Sequence, residues 1–81
     1  MKVEIVTPDH SIYNGEAELV RVPGVQGSFE ILNNHAPIIS ALGKGCVSLI
    51  AATDDKAEFS YEIESGIVEV KNNKVNVLIE K

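Results

Sequence analysis

The stretch Gly24–Leu42, GVQGSFEILNNHAPIISAL, sets the pattern of the chain because it alternates turn residues with short apolar runs. Gly24 and Gly27 bracket a corner, where glycine takes positive φ values without steric cost. Asn33-Asn34 predicts a second turn, since asparagine tolerates left-handed backbone and bonds to nearby backbone through its side chain. Pro37 then holds the residue before it in an extended conformation. This alternation predicts a long connection that carries a short strand between its two turns.

Within this connection, apolar anchors are separate from side chains that stay available for contact. Phe29–Leu32 predicts the short strand, and Phe29 is its expected anchor on the core. The polar residues Gln26, Ser28, Glu30 and His35 gain little from burial, so we expect them on the surface. His35 has two compatible roles: a ring nitrogen bonds to backbone and stabilises the turn, or the imidazole lies in an interface.

Outward from this stretch, the chain continues as short apolar runs separated by turn residues. No window repeats apolar residues at helical spacing for long enough to predict a helix. Asn72-Asn73 predicts a type I′ hairpin turn, Thr53–Lys56 predicts a second hairpin, and Gly43–Gly45 predicts a tight turn. The predicted strands are Lys2–Thr7, a short piece at Ser11–Asn14, Glu16–Pro23, Phe29–Leu32, Pro37–Leu42, Gly45–Ala52, Glu58–Glu64, Gly66–Lys71 and Lys74–Glu80.

Short strands with closely spaced turns predict an all-β fold, a flattened β-sandwich or barrel of about 8–10 strands. No linker or repeat interrupts residues 1–81, so we expect a single domain. Strict alternation, clearest in Glu58–Glu64, predicts which side chains face the core. The expected core is Val3, Ile5, Val47, Phe59, Ile63, Val75, Val77 and Ile79.

Two further segments have predicted burial. Pro37–Leu42 is nearly continuous in apolar residues, which is typical of a strand covered on both faces. Cys46, beside Val47, is predicted to be a small buried hydrophobe. The alternative is a redox-sensitive thiol, for which Lys44 would be the nearby cation.

Composition and charge restrict the partners of the chain. The net charge is −5 and the pI is near 4.8, whereas phosphate binding needs a basic stripe, so no nucleic acid is expected. No apolar run approaches the about 20 residues of a bilayer span, so no direct membrane insertion is expected. The single cysteine excludes an internal disulfide and fits a reducing compartment. These features predict a soluble, cytosolic-type domain.

The residues of the chain do not form a pattern that supports catalysis or cofactor binding. The two histidines lie in no nucleophile pattern, and Gly43-Lys44-Gly45 lacks the spacing of a phosphate-binding loop. The carboxylate pairs Asp54-Asp55 and Glu62 with Glu64 are expected in a turn and on a solvated strand face. The histidines and the cysteine lack metal-ligand spacing. We therefore predict no catalytic residue, no cofactor and no metal site.

Three segments, in the same order and at the same spacing, resemble one known family. Gly27–Pro37, GSFEILNNHAP, resembles the GEFGILPGHAP-type signature of the epsilon subunit of the rotary ATP synthase, which is called delta in mitochondria. Tyr61–Ile79 is similar to the family's YxxGGxxEVxxNxVxVLA segment. Val3–Pro8, followed by Tyr13–Glu16, is similar to its VTPxxxxYxGE start. The resemblance therefore covers the whole chain.

This resemblance implies a flattened β-sandwich that is a non-catalytic rotor subunit of an ion-translocating ATP synthase. In the family, this domain docks on the gamma subunit and rests on the c-ring, while the alpha and beta subunits make ATP. The implied location is the cytoplasmic face of a bacterial plasma membrane, as a peripheral part of the complex. The implied c-ring contact is Val25, Gln26, Gly27, Ser28, Phe29 and Glu30, and the implied gamma contact is Asn33, Asn34, His35, Ala36 and Pro37.

The chain departs from the family pattern at two places. Asn33-Asn34 stands where the family usually has Pro-Gly, so the turn is expected to be less rigid. The family commonly continues into a C-terminal helical hairpin that inhibits ATP hydrolysis, whereas these 81 residues end with the last predicted strand. We therefore expect these residues to dock without inhibiting hydrolysis, and no ATP-binding role is carried over.

A free-standing β-sandwich ligand-binding module is the alternative function. Such a module would need a concave apolar pocket with a few polar groups. The chain has four aromatic residues and no tryptophan, which is poor material for a sugar or nucleobase site.

Overall fold

Eight strands and no helix make up the chain, and the computed structural model describes all of residues 1–81. The strand content and the absence of a helix confirm the predicted all-β class. The chain forms no helix long and apolar enough to cross a membrane. The strands are β1 Lys2–Val6, β2 Ser11–Gly24, β3 Gly27–Leu32, β4 Ile38–Leu42, β5 Gly45–Ala51, β6 Glu58–Ile63, β7 Ser65–Lys71 and β8 Lys74–Glu80.

The long strand β2 organises the sheet by pairing with four others. Its first half pairs with β1, and its second half pairs with both β3 and β5. The strand order is β1-β8-β7-β4-β2-β5-β6. β4 pairs with the last residue of β2, Gly24, and β1 pairs with the first half of β2, so the strands from β1 to β2 form a closed ring. The sheet therefore closes into a flattened barrel, and β1 with β8 is its parallel pair.

A β-bulge explains why one strand replaces the two that were predicted between Ser11 and Pro23. In β2, the buried residue Ala17 has an odd number, whereas the buried residues Val20 and Val22 have even numbers. The register with β5 shifts between Ala17 and Leu19. An extra residue at such a bulge moves the side chains after it to the opposite face. The prediction of a break at Gly15 was wrong, since Gly15 pairs with Val3 inside the strand.

The core is a cluster of sixteen buried apolar residues contributed by all eight strands and Met1. The prediction is confirmed for Val3, Ile5, Val47, Ile63, Val75, Val77 and Ile79, each at most 2% exposed. It was wrong for Phe59, which is 39% exposed. Phe59 lies near the start of the terminal strand β6, where its ring meets Tyr13 with centroids 5.4 Å apart. The alternating pattern assigned Phe59 to the correct face of β6, but the first residues of this strand are not fully covered by other side chains.

Two other burial predictions were wrong for a shared reason. Cys46 is exposed, because Val47 points inward on β5 and the neighbouring side chain must point outward. It lies opposite Glu62 in the β5–β6 ladder. Ile39 on β4 is 74% exposed, so this strand is covered on one face and not on two. In both cases, a run of apolar residues places members on both faces of the sheet.

The predicted hairpins are confirmed. Asn72 and Asn73 have φ values of 53° and 59°, as a type I′ turn requires, and they join β7 to β8. Thr53–Lys56 lies in the connection between the paired strands β5 and β6. Gly43 and Lys44 connect β4 to β5. These two strands do not pair with each other, so this connection is not a hairpin turn.

Candidate contact surfaces

The corner between β2 and β3 depends on two glycines for different reasons. Gly27 has φ +130°, which disfavours any side chain. Gly24 faces Gly27 across the ladder, and a Cβ there would lie 2.7 Å from the Gly27 carbonyl oxygen. The tight approach of the two strands therefore explains Gly24, whereas backbone conformation explains Gly27.

The segment Val25–Glu30 forms the tip and first residues of this hairpin. Gln26, Gly27 and Ser28 are exposed, as their small or polar character predicts, and the apolar Val25 is also 62% exposed. Phe29 is half-buried and packs against the core, which confirms its role as the anchor. The hairpin therefore presents a small, mostly polar surface, and the ring of Phe29 anchors it to the core.

Glu30 is engaged within the chain. It lies opposite Arg21 in the β2–β3 ladder, with Arg21 Nε donating to Glu30 Oε2 at 3.0 Å. Both side chains are largely exposed, and such surface pairs contribute about 0–1 kcal/mol. The sequence analysis missed this pair because it depends on the register of the hairpin. A partner that binds Glu30 Oε2 therefore competes with Arg21, whereas Oε1 has no partner within the chain.

The turn Asn33–Pro37 follows β3 and is built from short-range hydrogen bonds. Asn34 has φ 63°, and the His35 N–H donates to the Leu32 carbonyl at 3.2 Å. His35 Nδ1–H donates to the carbonyl of Ala36 at 2.7 Å. The predicted bond between the imidazole and the backbone is therefore confirmed, and Nε2 is left available for a partner.

Two long-range hydrogen bonds also hold this turn. The Asn34 N–H donates to Asn73 Oδ1 at 2.7 Å, across 39 residues of sequence. The Met1 nitrogen donates to Asn33 Oδ1 at 2.6 Å and to the Ala17 carbonyl at 3.1 Å. The turn is therefore tied to the β7–β8 hairpin and to the start of the chain.

The segments Val25–Glu30 and Asn33–Pro37 lie toward opposite ends of β3. Val25–Glu30 includes the first four residues of β3, so only Ile31 and Leu32 lie between Glu30 and Asn33, a span of roughly 10 Å at ~3.3 Å per residue. The hairpin tip at Val25 and Gln26 and the turn Asn33–Pro37 therefore lie at opposite ends of β3, whereas Glu30 lies near the turn.

A row of apolar side chains on the outside of the barrel was missed by the sequence analysis. Four apolar residues pair with one another across neighbouring strands. They are Val6 on β1, Leu78 on β8, Ile67 on β7 and Ala41 on β4. Ile67 is 50% exposed and Leu78 is 46% exposed. We call Val6, Leu78, Ile67, Ala41 and the adjacent Ile39 the outer apolar row. The sequence could have predicted this row from the adjacent apolar pairs Ile67-Val68 and Leu78-Ile79. Neighbouring residues in a strand lie on opposite faces, so one member of each pair must lie on the outer face.

The outer apolar row continues to the β2–β3 hairpin. Val25, which is exposed at the tip, donates its N–H to the Ala41 carbonyl at 3.1 Å. Ile39 and Ala41 line one surface hollow together with Gly24–Phe29. The polar tip and the apolar row therefore form one continuous exposed surface.

The ionisable groups are dispersed over the surface. Asp55 accepts a hydrogen bond from Thr53 Oγ1 at 2.5 Å, which lowers the pKa of its carboxyl. Partial burial raises the pKa of Tyr61, and the nearby Tyr13 adds to the effect. No group of three or more His, Cys, Asp or Glu side chains is placed to hold a metal ion. Fold and surface together define a small β-sandwich domain with two exposed polar segments and one apolar outer row.

The sequence of the chain matches a known family over its full length. The profile of the ATP synthase delta/epsilon chain beta-sandwich domain matches residues 1–81. The chain therefore belongs to this family, as the three sequence segments predicted.

Individual relatives carry the same description. The ATP synthase epsilon chain of Chlorobium limicola is 43% identical over 98% of this chain and 88% of its own length. Those of Salinibacter ruber and Sulfurimonas denitrificans are 41% and 42% identical, and the chain spans only 58% and 60% of their lengths. The fold is similar to a chain in the central stalk/c-ring structure of the Tetrahymena thermophila mitochondrial ATP synthase. That likeness has a TM-score of 0.83 at 16% identity and covers all of this chain and 63% of the other.

Proposed function

We propose that the chain is a non-catalytic rotor subunit of an ion-translocating ATP synthase. In this role, it docks on the gamma subunit and the c-ring at the cytoplasmic face of a bacterial plasma membrane. The observation that carries the proposal is the match to the ATP synthase delta/epsilon family over residues 1–81. The subunit performs no chemistry and meets the alpha and beta subunits only indirectly, since it fixes the central stalk to the ring.

The separation of the two polar segments supports a domain that bridges two partners. Val25–Glu30 is proposed to contact the c-ring, and Asn33–Pro37 is proposed to contact gamma. Because the hairpin tip and the turn Asn33–Pro37 lie at opposite ends of β3, two different protein surfaces can meet them. The pairing of β3 with β2 attaches the hairpin to the closed part of the sheet, which suits a part that transmits torque.

The outer apolar row extends the proposed docking surface. Its three most exposed members, Ile39, Ile67 and Leu78, are between 46% and 74% exposed. Contiguous exposed apolar residues of this kind are typical of protein–protein contacts. We assign the row to the interface with gamma, because its member Ile39 follows Pro37 of the proposed gamma contact by two residues and lines one surface hollow with it. No comparable observation favours the alternative of a free-standing ligand-binding module, since the interior is filled by the core cluster.

Replacement of the polar tip tests the c-ring contact. The variant carries Gln26→Trp, Ser28→Trp and Glu30→Trp, and it is reconstituted into epsilon-depleted synthase in vesicles. Bulky groups at the tip should loosen the rotor from the ring and lower ATP-driven ion pumping. The matched control is Glu58→Trp, Ser60→Trp and Glu62→Trp on the exposed face of β6, which should pump normally.

Two controls accompany the pumping assay. Thermal unfolding of both triple variants shows whether loss of the Glu30–Arg21 pair has affected folding. Immunoblotting of the vesicles shows whether each variant is incorporated. If the tip variant is folded, incorporated and pumps as the wild type does, Val25–Glu30 is not the c-ring contact.

A further inference from the structure

We propose that Asn73 is a positioning residue for the gamma-contact turn Asn33–Pro37. This inference rests on the proposed function, which assigns that turn to gamma. Asn73 lies 39 residues from Asn34 in sequence, yet its side-chain oxygen accepts the Asn34 N–H at 2.7 Å. The bond connects the turn to the β7–β8 hairpin.

The Asn34 N–H needs a partner outside its own turn. Asn34 adopts φ 63°, and the local bond of this turn is donated by the His35 N–H to Leu32. The Asn34 N–H makes its bond to Asn73. Without the Asn73 oxygen, the turn would keep the local bond from His35 to Leu32, and its one long-range bond would be that from Met1 to Asn33. The direction in which His35 and Pro37 face would then be less well defined.

Asn73 is itself held firmly in place by three strands. It occupies the second position of the type I′ turn with φ 59°, between the paired residues Lys71 and Lys74. Its carbonyl accepts the Lys2 N–H at 3.2 Å, which ties it to β1. The acceptor oxygen therefore sits on a rigid support. A fixed acceptor of this kind lowers the entropic cost of presenting the turn to a partner.

The hairpin turn offers a matched control for this role. Asn72 has φ 53° and occupies the neighbouring turn position, but its side chain forms no hydrogen bond to the Asn33–Pro37 turn. Glycine accommodates either position, so Asn72→Gly and Asn73→Gly keep the backbone and differ in whether the acceptor is lost. Asn73→Asp retains an oxygen at the acceptor position and is the rescue variant.

The first measurement follows hydrogen exchange of the Asn34 amide by NMR in the 81-residue chain. Loss of one exposed hydrogen bond should speed exchange by about three- to tenfold in Asn73→Gly. Asn72→Gly should leave the rate within about twofold of the wild type, and Asn73→Asp should restore protection. An unchanged Asn34 rate in Asn73→Gly would overturn the inference at its structural step.

The second measurement is the affinity of each variant for the immobilised, epsilon-depleted catalytic head with its gamma subunit. Asn73→Gly should bind about three- to tenfold more weakly, whereas Asn72→Gly and Asn73→Asp should bind as the wild type does. Thermal unfolding of Asn72→Gly and Asn73→Gly measures any general effect on the hairpin. Equal affinity of Asn73→Gly and Asn72→Gly would overturn the positioning role.

His35→Ala separates failure of this inference from failure of the proposed function. Its imidazole bonds to Ala36 and takes no part in the bond to Asn73. If His35→Ala weakens gamma binding and Asn73→Gly does not, the turn contacts gamma and Asn73 does not position it. If neither variant weakens binding, the assignment of the turn to gamma is itself wrong.

Discussion

Ile79 and Phe59 both point toward the core, but they differ in how completely they are covered. Ile79 is fully buried, so Ile79→Ala should cost about 2–5 kcal/mol through lost transfer energy and a residual cavity. Phe59 keeps 39% of its surface in water and packs mainly on Tyr13, so Phe59→Ala should cost only about 1–2 kcal/mol. Denaturant titration of both variants measures the difference. A larger loss for Phe59→Ala would show that β6 is more tightly covered than this structure indicates.

Ionisation of Tyr61 should lower the free energy of unfolding at alkaline pH. Partial burial, with a further contribution from Tyr13, raises its pKa above the ordinary value of about 10. Because the folded-state pKa is the higher one, this stabilisation is complete below pH 10 and is lost as pH rises through the folded pKa. In an ultraviolet titration of the two tyrosines, a late phenolate component should appear and should vanish in Tyr61→Phe. Persistence of that component in Tyr61→Phe would assign it to Tyr13.

At the scale of the element, β7 places adjacent apolar residues on opposite faces. Val68 is fully buried, so Val68→Lys should cost about 4 kcal/mol or more, which is comparable with the whole stability of a small domain. Ile67 is half exposed, so Ile67→Lys should cost less than about 1 kcal/mol. Ile67→Lys should nevertheless weaken binding to the gamma-containing head, because it places a charge in the outer apolar row. Thermal unfolding and binding assays distinguish the two effects, and unimpaired binding would remove the row from the proposed interface.

At the scale of the whole molecule, negative charge outweighs the ion pairs that offset it. The net charge is −5, and the side-chain ion pairs Arg21–Glu30, Lys44–Glu64 and Lys56–Glu18 are all exposed. Exposed pairs contribute little, whereas a net charge far from zero destabilises the compact state by self-repulsion. Raising NaCl from about 10 mM to about 500 mM should therefore raise Tm by roughly 1–4 °C. A fall in Tm would mean that the ion pairs outweigh the repulsion.

The sequence determined the features that depend on neighbouring residues. Alternation located most strands, Asn72-Asn73 predicted its hairpin turn, and the motif in Gly27–Pro37 predicted the family. Each of these signals is local, because side-chain direction in a strand repeats every two residues and turn conformation depends on a few φ angles.

Only the tertiary structure decided which apolar faces are covered and which distant residues meet. The alternating pattern gives Phe59 and Ile63 the same face, but only Ile63 lies over the core. The bulge in β2 reverses a face within one strand, and the bond between Asn34 and Asn73 joins segments 39 residues apart. The physical reason is that coverage and long-range hydrogen bonds depend on the register and closure of the sheet, which no local stretch of sequence specifies.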